Sequence, residues 1–250
     1  MNAPVFYLGT HKAAWLARTD VPLFVSRRTL APMRSLPRAR GRWALDSGGF
    51  TELALHGRWT VPAAQYAAEV RRFRDEIGGL AWAAPQDWMC EHQMLARTGL
   101  TVAEHQRRTT ANLLELRAIA PEVPWIPVLQ GWTLGDYLDH VEAYERAGVD
   151  LVGEPTVGVG TVCRRQSTLS VGNMLAMLAA DGLRLHGFGF KVTGLRASGA
   201  HLVSADSLAW SMHARRREPI AGHTHKNCAN CIEYALGWRD DLLASMARAA

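Results

Sequence analysis

The sequence predicts an α/β fold, a (β/α)8 TIM barrel followed by a C-terminal helix. The chain has 250 residues, close to the usual size of such a barrel. Eight short runs rich in apolar, β-branched or aromatic residues are spaced along it, and segments with helical periodicity lie between most of them. Strands that alternate with helices form parallel sheets, and a count of eight favours a closed barrel over an open sheet.

The predicted strands are flanked by Gly, Pro, Asp or Ser, residues that commonly end strands. In chain order they are Val5–Gly9, Pro22–Val25, Arg42–Asp46, Leu80–Ala84, Trp125–Leu129, Asp150–Gly153, Arg184–Phe188 and His201–Ser204. Helices are predicted where apolar residues recur three and four positions apart. These segments are Val61–Ile77, Thr101–Ile119, Leu134–Ala147, Leu169–Ala180 and a last helix from about Cys231 to Ala247.

Composition predicts one globular domain over residues 1–250, since 48% of the residues are hydrophobic and 20% are charged. Charges interrupt every apolar run well before the roughly 18 residues that a transmembrane helix needs. The N-terminal sequence lacks the basic start, apolar middle and cleavage site of a signal peptide. We therefore expect a cytoplasmic protein, or one in the host-cell cytoplasm if a phage encodes it.

The net charge of +5 and the isoelectric point near 9.3 favour a polyanionic partner, although a merely basic enzyme would have the same balance. Arginines cluster in three stretches that could follow a phosphate backbone. These are Arg27–Arg42, Arg164–Arg165 and Arg215–Arg217. The first is broken by prolines, and a solvated loop is the more usual explanation of such a stretch.

Polar residues and glycines follow most of the predicted strands. In a parallel barrel the side chains at these strand ends face the active site. A single Asp after a strand is often only a helix cap, but three acids, a glutamine and repeated glycines on one face indicate a binding site. The residues in question are Asp46, Ser47, Asp87, Gln130, Gly158, Gly160 and Asp206.

The stretch "HTHKNCANC" places two histidines and two cysteines within nine residues, His223 to Cys231. Two cysteines separated by two residues can point both thiolates inward from one turn, which is a common metal-ligand spacing. We predict a structural Zn²⁺ in this C-terminal segment, held by Cys228, Cys231 and His225, with His223 or His213 as the fourth ligand. A reduced cysteine pair without metal is the alternative.

The ordered motifs resemble those of the tRNA-guanine transglycosylase superfamily, zinc-containing barrels that exchange guanine in nucleic acid for a 7-deazaguanine. The resemblance covers nearly the whole chain. Its motifs are "LDSGGF", "PQDWMCE", "VLQGW", "VGVGTV", "LHGFGFK", "LVSADS" and the His/Cys cluster.

The resemblance implies a role for each strand-end residue. Asp206 would be the nucleophile and Asp46 the general acid and base. Asp87 and Gln130 would hydrogen-bond the edge of the base, and Ser47 would line the same pocket. Gly158 and Gly160 would offer backbone contacts.

General chemistry agrees with this division of roles. Exchanging one base for another with retention at the glycosidic carbon takes two displacements through a covalent intermediate. A second group must protonate the leaving base and deprotonate the incoming one.

The chain departs from the tRNA-modifying members in two respects. It is shorter, and its metal run reads His-x-His-x2-Cys-x2-Cys instead of Cys-x-Cys-x2-Cys with a later His. The compact form is most similar to the branch that inserts 7-deazaguanines such as preQ0 derivatives into DNA. DNA, a 7-deazaguanine base and proteins of a modification complex are therefore the expected partners. A minimal tRNA-directed transglycosylase and a non-catalytic nucleic-acid-binding subunit remain the alternative hypotheses.

Overall fold

The computed structural model describes residues 4–247, an α/β fold built on one curled sheet of eight parallel strands. The sheet order is β4-β3-β2-β1-β8-β7-β6-β5, so β1 and β8 pair and join the two halves of the chain. The strands are β1 Val5–Thr10, β2 Leu23–Ser26, β3 Trp43–Asp46, β4 Leu80–Ala83, β5 Val128–Leu129, β6 Val157–Val159, β7 Leu185–Gly187 and β8 Ser204–Ser207.

The two outer strands of this order approach each other just before β5. Ala83 and Trp125 form a single parallel bridge. The Ala83 N–H donates to the Pro124 carbonyl at 3.0 Å, and the Ile126 N–H donates to the Ala83 carbonyl at 3.1 Å. The sheet therefore curls far enough for β4 to contact the segment that leads into β5.

Helices connect most consecutive strands, as parallel pairing requires. They are α1 Arg27–Leu30, α2 Gly49–His56, α3 Ala63–Ile77, α4 His92–Thr98, α5 Val102–Ile119, α6 Leu134–Arg146, α7 Leu169–Ala180, α8 Val192–Ser198, α9 Ala209–Ala214 and α10 Ile232–Ala247. Thr101, where the predicted helix Thr101–Ile119 begins, caps α5, because its hydroxyl accepts a hydrogen bond from the Glu104 N–H. The described residues contain no helix long and apolar enough to cross a membrane.

Two predicted strands were misplaced. Residues 150–153 form a turn in which Val152 is 55% exposed, and β6 lies further on at Val157–Val159, where all three residues are buried. Similarly, β8 is Ser204–Ser207, also fully buried, and a 3-10 turn occupies Gly199–His201. A strand inside such a sheet is covered on both faces, and burial there outweighs the polar character of Ser and Asp.

The short helices α1, α2, α4, α8 and α9 were not predicted, because segments of four to eight residues carry too few turns for a periodic pattern. In the basic stretch Arg27–Arg42, the first residues form α1 and most of the others form a loop, which agrees with the solvated-loop interpretation.

The main core lies between the sheet and the helices. A second cluster, which includes Tyr7, Trp82 and Phe24, fills the interior of the curled sheet.

Candidate active site

A pocket of about 460 Å³ opens at the C-terminal ends of the strands. Side chains along a strand alternate between its two faces, so residues two positions apart share the interior. The interior layer beneath the pocket consists of Tyr7, Phe24, Ala44, Trp82, Val128, Gly158, His186 and Ser204. Two positions further along each strand are Gly9, Ser26, Asp46, Ala84, Gln130, Gly160, Phe188 and Asp206, and all eight line the pocket.

The carboxylate of Asp206 lies near the end of β8 and is 6% exposed. Its Oδ1 accepts a hydrogen bond of 2.9 Å from the Gly189 N–H. Gly189 has φ of +66°, and a Cβ there would lie 2.8 Å from the Cys163 Sγ. A residue with a side chain would therefore be strained at this turn, and glycine lets the amide reach the carboxylate.

Asp46 is the last residue of β3 and faces the same pocket. Burial raises the pKa of its carboxyl, and the nearby negative charge of Asp206 raises it further. Hydrogen bonds from the Ser26 side chain and the Gly48 backbone act in the opposite direction. The net effect favours a carboxyl group that keeps its proton more readily than an exposed aspartate does.

Asp87 is held by two side chains at the base of the pocket. The Ser47 hydroxyl donates to its Oδ1 at 3.0 Å, and the Gln130 amide donates to its Oδ2 at 2.6 Å. The Thr161 hydroxyl in turn donates to Gln130 Oε1 at 2.6 Å. Burial, and secondly the charge of Asp46, raises the pKa of Asp87 to about 7. Near neutral pH, therefore, a bound group that donates two N–H bonds would favour the ionised form.

The two glycines singled out from the sequence occupy different environments. Gly160 lines the pocket, and a Cβ there would lie 2.3 Å from the Gln130 Nε2. Gly158 does not line the pocket, because the Phe188 ring lies over it and would be 2.6 Å from a Cβ. Gly160 therefore leaves room for Gln130, and Gly158 for Phe188.

Three residues of the site were not assigned a role from the sequence. Thr161 has φ of +59°, a left-handed conformation that is uncommon outside glycine, and it fixes Gln130. Glu91 lines the pocket, and its Oε2 is buried without a hydrogen-bond partner among the described residues. His186 lies beneath Asp206. The only signal for them was that each belongs to a quoted motif, "VGVGTV", "PQDWMCE" or "LHGFGFK".

The predicted metal ligands converge in the loop between α9 and α10. One ligand atom from each of His223, His225, Cys228 and Cys231 lies within 4.8 Å of the other three. Two imidazoles and two thiolates are a typical donor set for tetrahedral Zn²⁺, so the residues fit this ion. The predicted alternative, His213, instead contacts the Tyr234 hydroxyl at 2.6 Å.

A carboxylate supports one of these candidate ligands. The Nδ1 atom of His223 lies 3.8 Å from the Cys228 sulfur and 3.7 Å from the Cys231 sulfur, while its Nε2 lies 2.9 Å from Glu233 Oε2. Metal-ligating histidines commonly have such a partner on the other ring nitrogen, which orients the ring. The loop is also attached to α9, since the Ser211 hydroxyl donates to the Ala229 carbonyl at 2.9 Å.

The predicted phosphate-binding arginines lie outside the pocket. Arg215, Arg216 and Arg217 are exposed and follow α9 on the way to the His/Cys cluster. Arg164 is nearer the pocket, with its guanidinium 5.9 Å from the ring of Phe50, a lining residue that is 45% exposed. Arg165 stacks on Trp132 at 3.9 Å.

The ordered motifs supply both the acidic pocket at the strand ends and the His/Cys cluster, and the protein is of the tRNA-guanine transglycosylase-like class. A family model matches residues 2–249, and the chain belongs to that family, DpdA, described as DeoxyPurine in DNA protein A. This is a transglycosylase-like family that inserts 7-deazaguanine into DNA, so the resemblance drawn from the motifs is confirmed, as is the role in DNA modification. A search of curated proteins finds no significant match.

Proposed function

We propose that this chain is itself the catalyst, a pentosyltransferase that replaces guanine in DNA by a 7-deazaguanine such as preQ0. One observation carries the proposal: three aspartates, Asp46, Asp87 and Asp206, line a single pocket, and their hydrogen-bond partners differ. The pocket volume of about 460 Å³ lies within the usual range for small-molecule sites. When titratable groups in one site have environments that give them different pKa values, they typically take different roles, such as acid, base or ligand binding.

In the proposed first step, an oxygen of Asp206 attacks C1′ of the deoxyribose while the bond from C1′ to N9 of guanine breaks. The electron pair of that bond goes to the base, and Asp46 supplies the proton that makes guanine a neutral leaving group. The raised pKa of Asp46, caused by burial and by the charge of Asp206, supports this donor role.

In the second step, the ionised Asp46 removes the N9 proton of the incoming 7-deazaguanine. N9 then forms the new bond to C1′ and the bond to Asp206 breaks, which restores both carboxyl groups to their starting forms. Two displacements on opposite faces retain the configuration at C1′. No further reactant is needed.

Base recognition is assigned to the Asp87 network. A carboxylate can accept two N–H groups at once, which suits the N1–H and amino group of a guanine-like edge. Ser47 and Gln130 already hold the two oxygens of Asp87. Gly160 leaves the space that Gln130 occupies. Gly158, which is covered by Phe188, has no assigned contact to the base.

We also propose that the sheet closes into a full (β/α)8 barrel through the bridge between Ala83 and Trp125, within one domain over residues 1–250. The segment 223–231 would hold a structural Zn²⁺ through its two histidines and two cysteines. When bound, the ion would stabilise the fold of the loop. The catalytic steps use only the pocket residues.

DNA reaches the pocket only after the target nucleotide leaves the duplex, because C1′ of a stacked base is inaccessible to Asp206. Arg215, Arg216 and Arg217 are proposed to contact phosphates, as are Arg164 and Arg165 nearer the pocket. Such contacts position the duplex and carry little sequence information.

Exchange of radiolabelled guanine and preQ0 into DNA and tRNA tests the proposal. The wild type is expected to label DNA and to form a covalent adduct, whereas Asp206→Asn forms none. Asp46→Asn should form the adduct slowly at best and should not turn over. Asp139→Asn, at an exposed position on α6, is the matched control and should behave as wild type. A folded wild type that labels neither nucleic acid would support a non-catalytic subunit, and preferential labelling of tRNA would support the tRNA-directed alternative.

A further inference from the structure

His186 occupies the interior layer directly beneath the pocket. It belongs to β7, and its side chain is fully buried. Four aromatic rings surround the imidazole, with centroids at 4.6 Å for Trp82, 4.8 Å for Phe188, 5.9 Å for Phe24 and 6.0 Å for Tyr7. A polar ring in such an apolar cage needs partners for both nitrogens, because a buried polar atom without one is costly.

Each nitrogen of His186 faces one polar group from β8. Nδ1 lies 2.9 Å from the Ser204 Oγ. Within residues 4–247, Nε2 makes no hydrogen bond of good geometry, and Asp206 Oδ1 lies 3.4 Å from it. The side chains of Ser204 and Asp206 point to the same face because they are two positions apart on one strand. The sequence Ser-x-Asp on β8 therefore places a hydroxyl and a carboxylate on either side of one imidazole.

This arrangement selects the position of the proton on the ring. An ionised carboxylate oxygen can only accept a hydrogen bond, so an unprotonated Nε2 would present its lone pair to Asp206 and be repelled. The Ser204 hydroxyl can donate to Nδ1, which leaves the proton on Nε2. The distance of 3.4 Å is longer than a good hydrogen bond, and catalytic contacts of this kind often tighten only when substrate is bound.

The Gly189 N–H and the His186 Nε2 both lie near the same oxygen of Asp206, the first as a hydrogen-bond donor and the second at a longer distance. Oδ1 accepts the Gly189 N–H at 2.9 Å and faces the His186 Nε2 at 3.4 Å. Two donors at one oxygen stabilise negative charge there and fix the carboxylate plane. Oδ2, the other oxygen, is then the one available to attack.

We propose that His186, with its proton on Nε2, is a positioning residue that orients Asp206 so that Oδ2 attacks C1′. The inference rests on the proposed role of Asp206 as the nucleophile. His186 itself touches neither the base nor the sugar, and it is not among the residues that line the pocket.

Two variants separate orientation from packing. His186→Phe keeps an aromatic ring among the four neighbouring rings and removes the donor. His186→Gln removes the ring and can present an N–H near the position of Nε2. Adduct formation with a guanine-containing DNA oligonucleotide is measured in a single turnover, and DNA affinity is measured separately.

Loss of a hydrogen bond to a charged group predicts an adduct rate about ten- to a hundred-fold lower for His186→Phe, with unchanged DNA affinity. His186→Gln should recover most of the rate. A merely structural role would affect the two variants alike or would weaken DNA binding as well. Equal rates for wild type and His186→Phe, or equal losses in both variants, would overturn the inference.

A measurement on the unmutated protein keeps the inference testable if His186→Phe does not fold. ¹⁵N-edited NMR distinguishes a ring protonated on Nε2 from one protonated on Nδ1 alone, and the second result would refute the proposed donor. Failure of the proposed function has a different signature: wild-type protein with the Nε2 proton in place would form no adduct that depends on Asp206.

Discussion

Replacing Asp87 by Asn should make stability less dependent on pH. Burial and the neighbouring charge of Asp46 raise the pKa of Asp87 from 3.8 to about 7 in the folded protein, and the side chain is largely shielded from solvent, since the residue is 8% exposed. Well below pH 3.8 the group is protonated in both the folded and the unfolded state. As the pH rises, the unfolded chain loses this proton first, so the free energy of unfolding falls until the folded pKa is passed.

The two pKa values of Asp87, 3.8 when unfolded and about 7 when folded, determine the size of this pH dependence. A rise from 3.8 to about 7 corresponds to about 4 kcal/mol of stability lost at alkaline pH, as an upper limit. Between pH 5 and pH 7.5 the part lost is about 3 kcal/mol. Asn has no ionisable group, and its amide can still bond Ser47 and Gln130. The wild type should therefore lose about 3 kcal/mol more than Asp87→Asn over this interval.

Urea denaturation at pH 5, 6, 7 and 7.5 measures the difference. Comparing each protein with itself across pH cancels the unequal hydrogen-bond energies of Asp and Asn. Asp139→Asn, which alters an exposed aspartate, should retain the wild-type pH dependence. If Asp87→Asn and wild type have parallel pH profiles, Asp87 is not a buried carboxyl with a raised pKa, and the electrostatic description of the pocket is incorrect. Base exchange by Asp87→Asn should also be strongly impaired, because Asn has one acceptor oxygen where the carboxylate has two, and its NH2 group would face an N–H of the base.

Three further predictions concern the metal, the base pocket and the nucleic acid. Metal analysis should give one zinc per chain for the wild type and for the control Cys163→Ser, which lies outside the cluster. Cys228→Ser should lose the ion and melt at a lower temperature. Equal zinc content in all three proteins would exclude the cluster as the zinc site. Gly160→Ala places a Cβ only 2.3 Å from the Gln130 amide nitrogen. The substitution should therefore weaken base binding and lower the free energy of unfolding by about 1–3 kcal/mol. An unchanged KM for the base would contradict this prediction. Replacing Arg215, Arg216 and Arg217 by Ala should weaken DNA binding and reduce the slope of log affinity against log salt by up to about 3, while adduct formation at saturating DNA persists; an unchanged slope would show that these arginines face away from DNA.

The sequence alone determined the fold class and the chemical types in the site. Residues with strong local patterns were placed well: Trp43–Asp46 and Leu80–Ala83 are strands within the predicted ranges, and the predicted helix start at Thr101 is the N-cap of α5. The four residues of the His/Cys cluster also lie close together, as the spacing predicted, because they fall within nine residues and one turn can bring them together. In each case the information is local in the chain.

Other features depended on contacts between distant segments, which a single sequence does not encode locally. β8 lies at Ser204–Ser207, although its sequence is polar, because β1 and β7 pair with it along its two edges. That register puts Asp206 inside a strand, and the same register sets Ser204 and Asp206 against His186. Asp87 is buried beside Asp46, which lies 41 residues earlier in the sequence, and this burial raises the pKa of Asp87. The sequence by itself determined which chemical groups were available; only the tertiary structure decided their distances and their exclusion from water, on which proton affinity and hydrogen bonding depend.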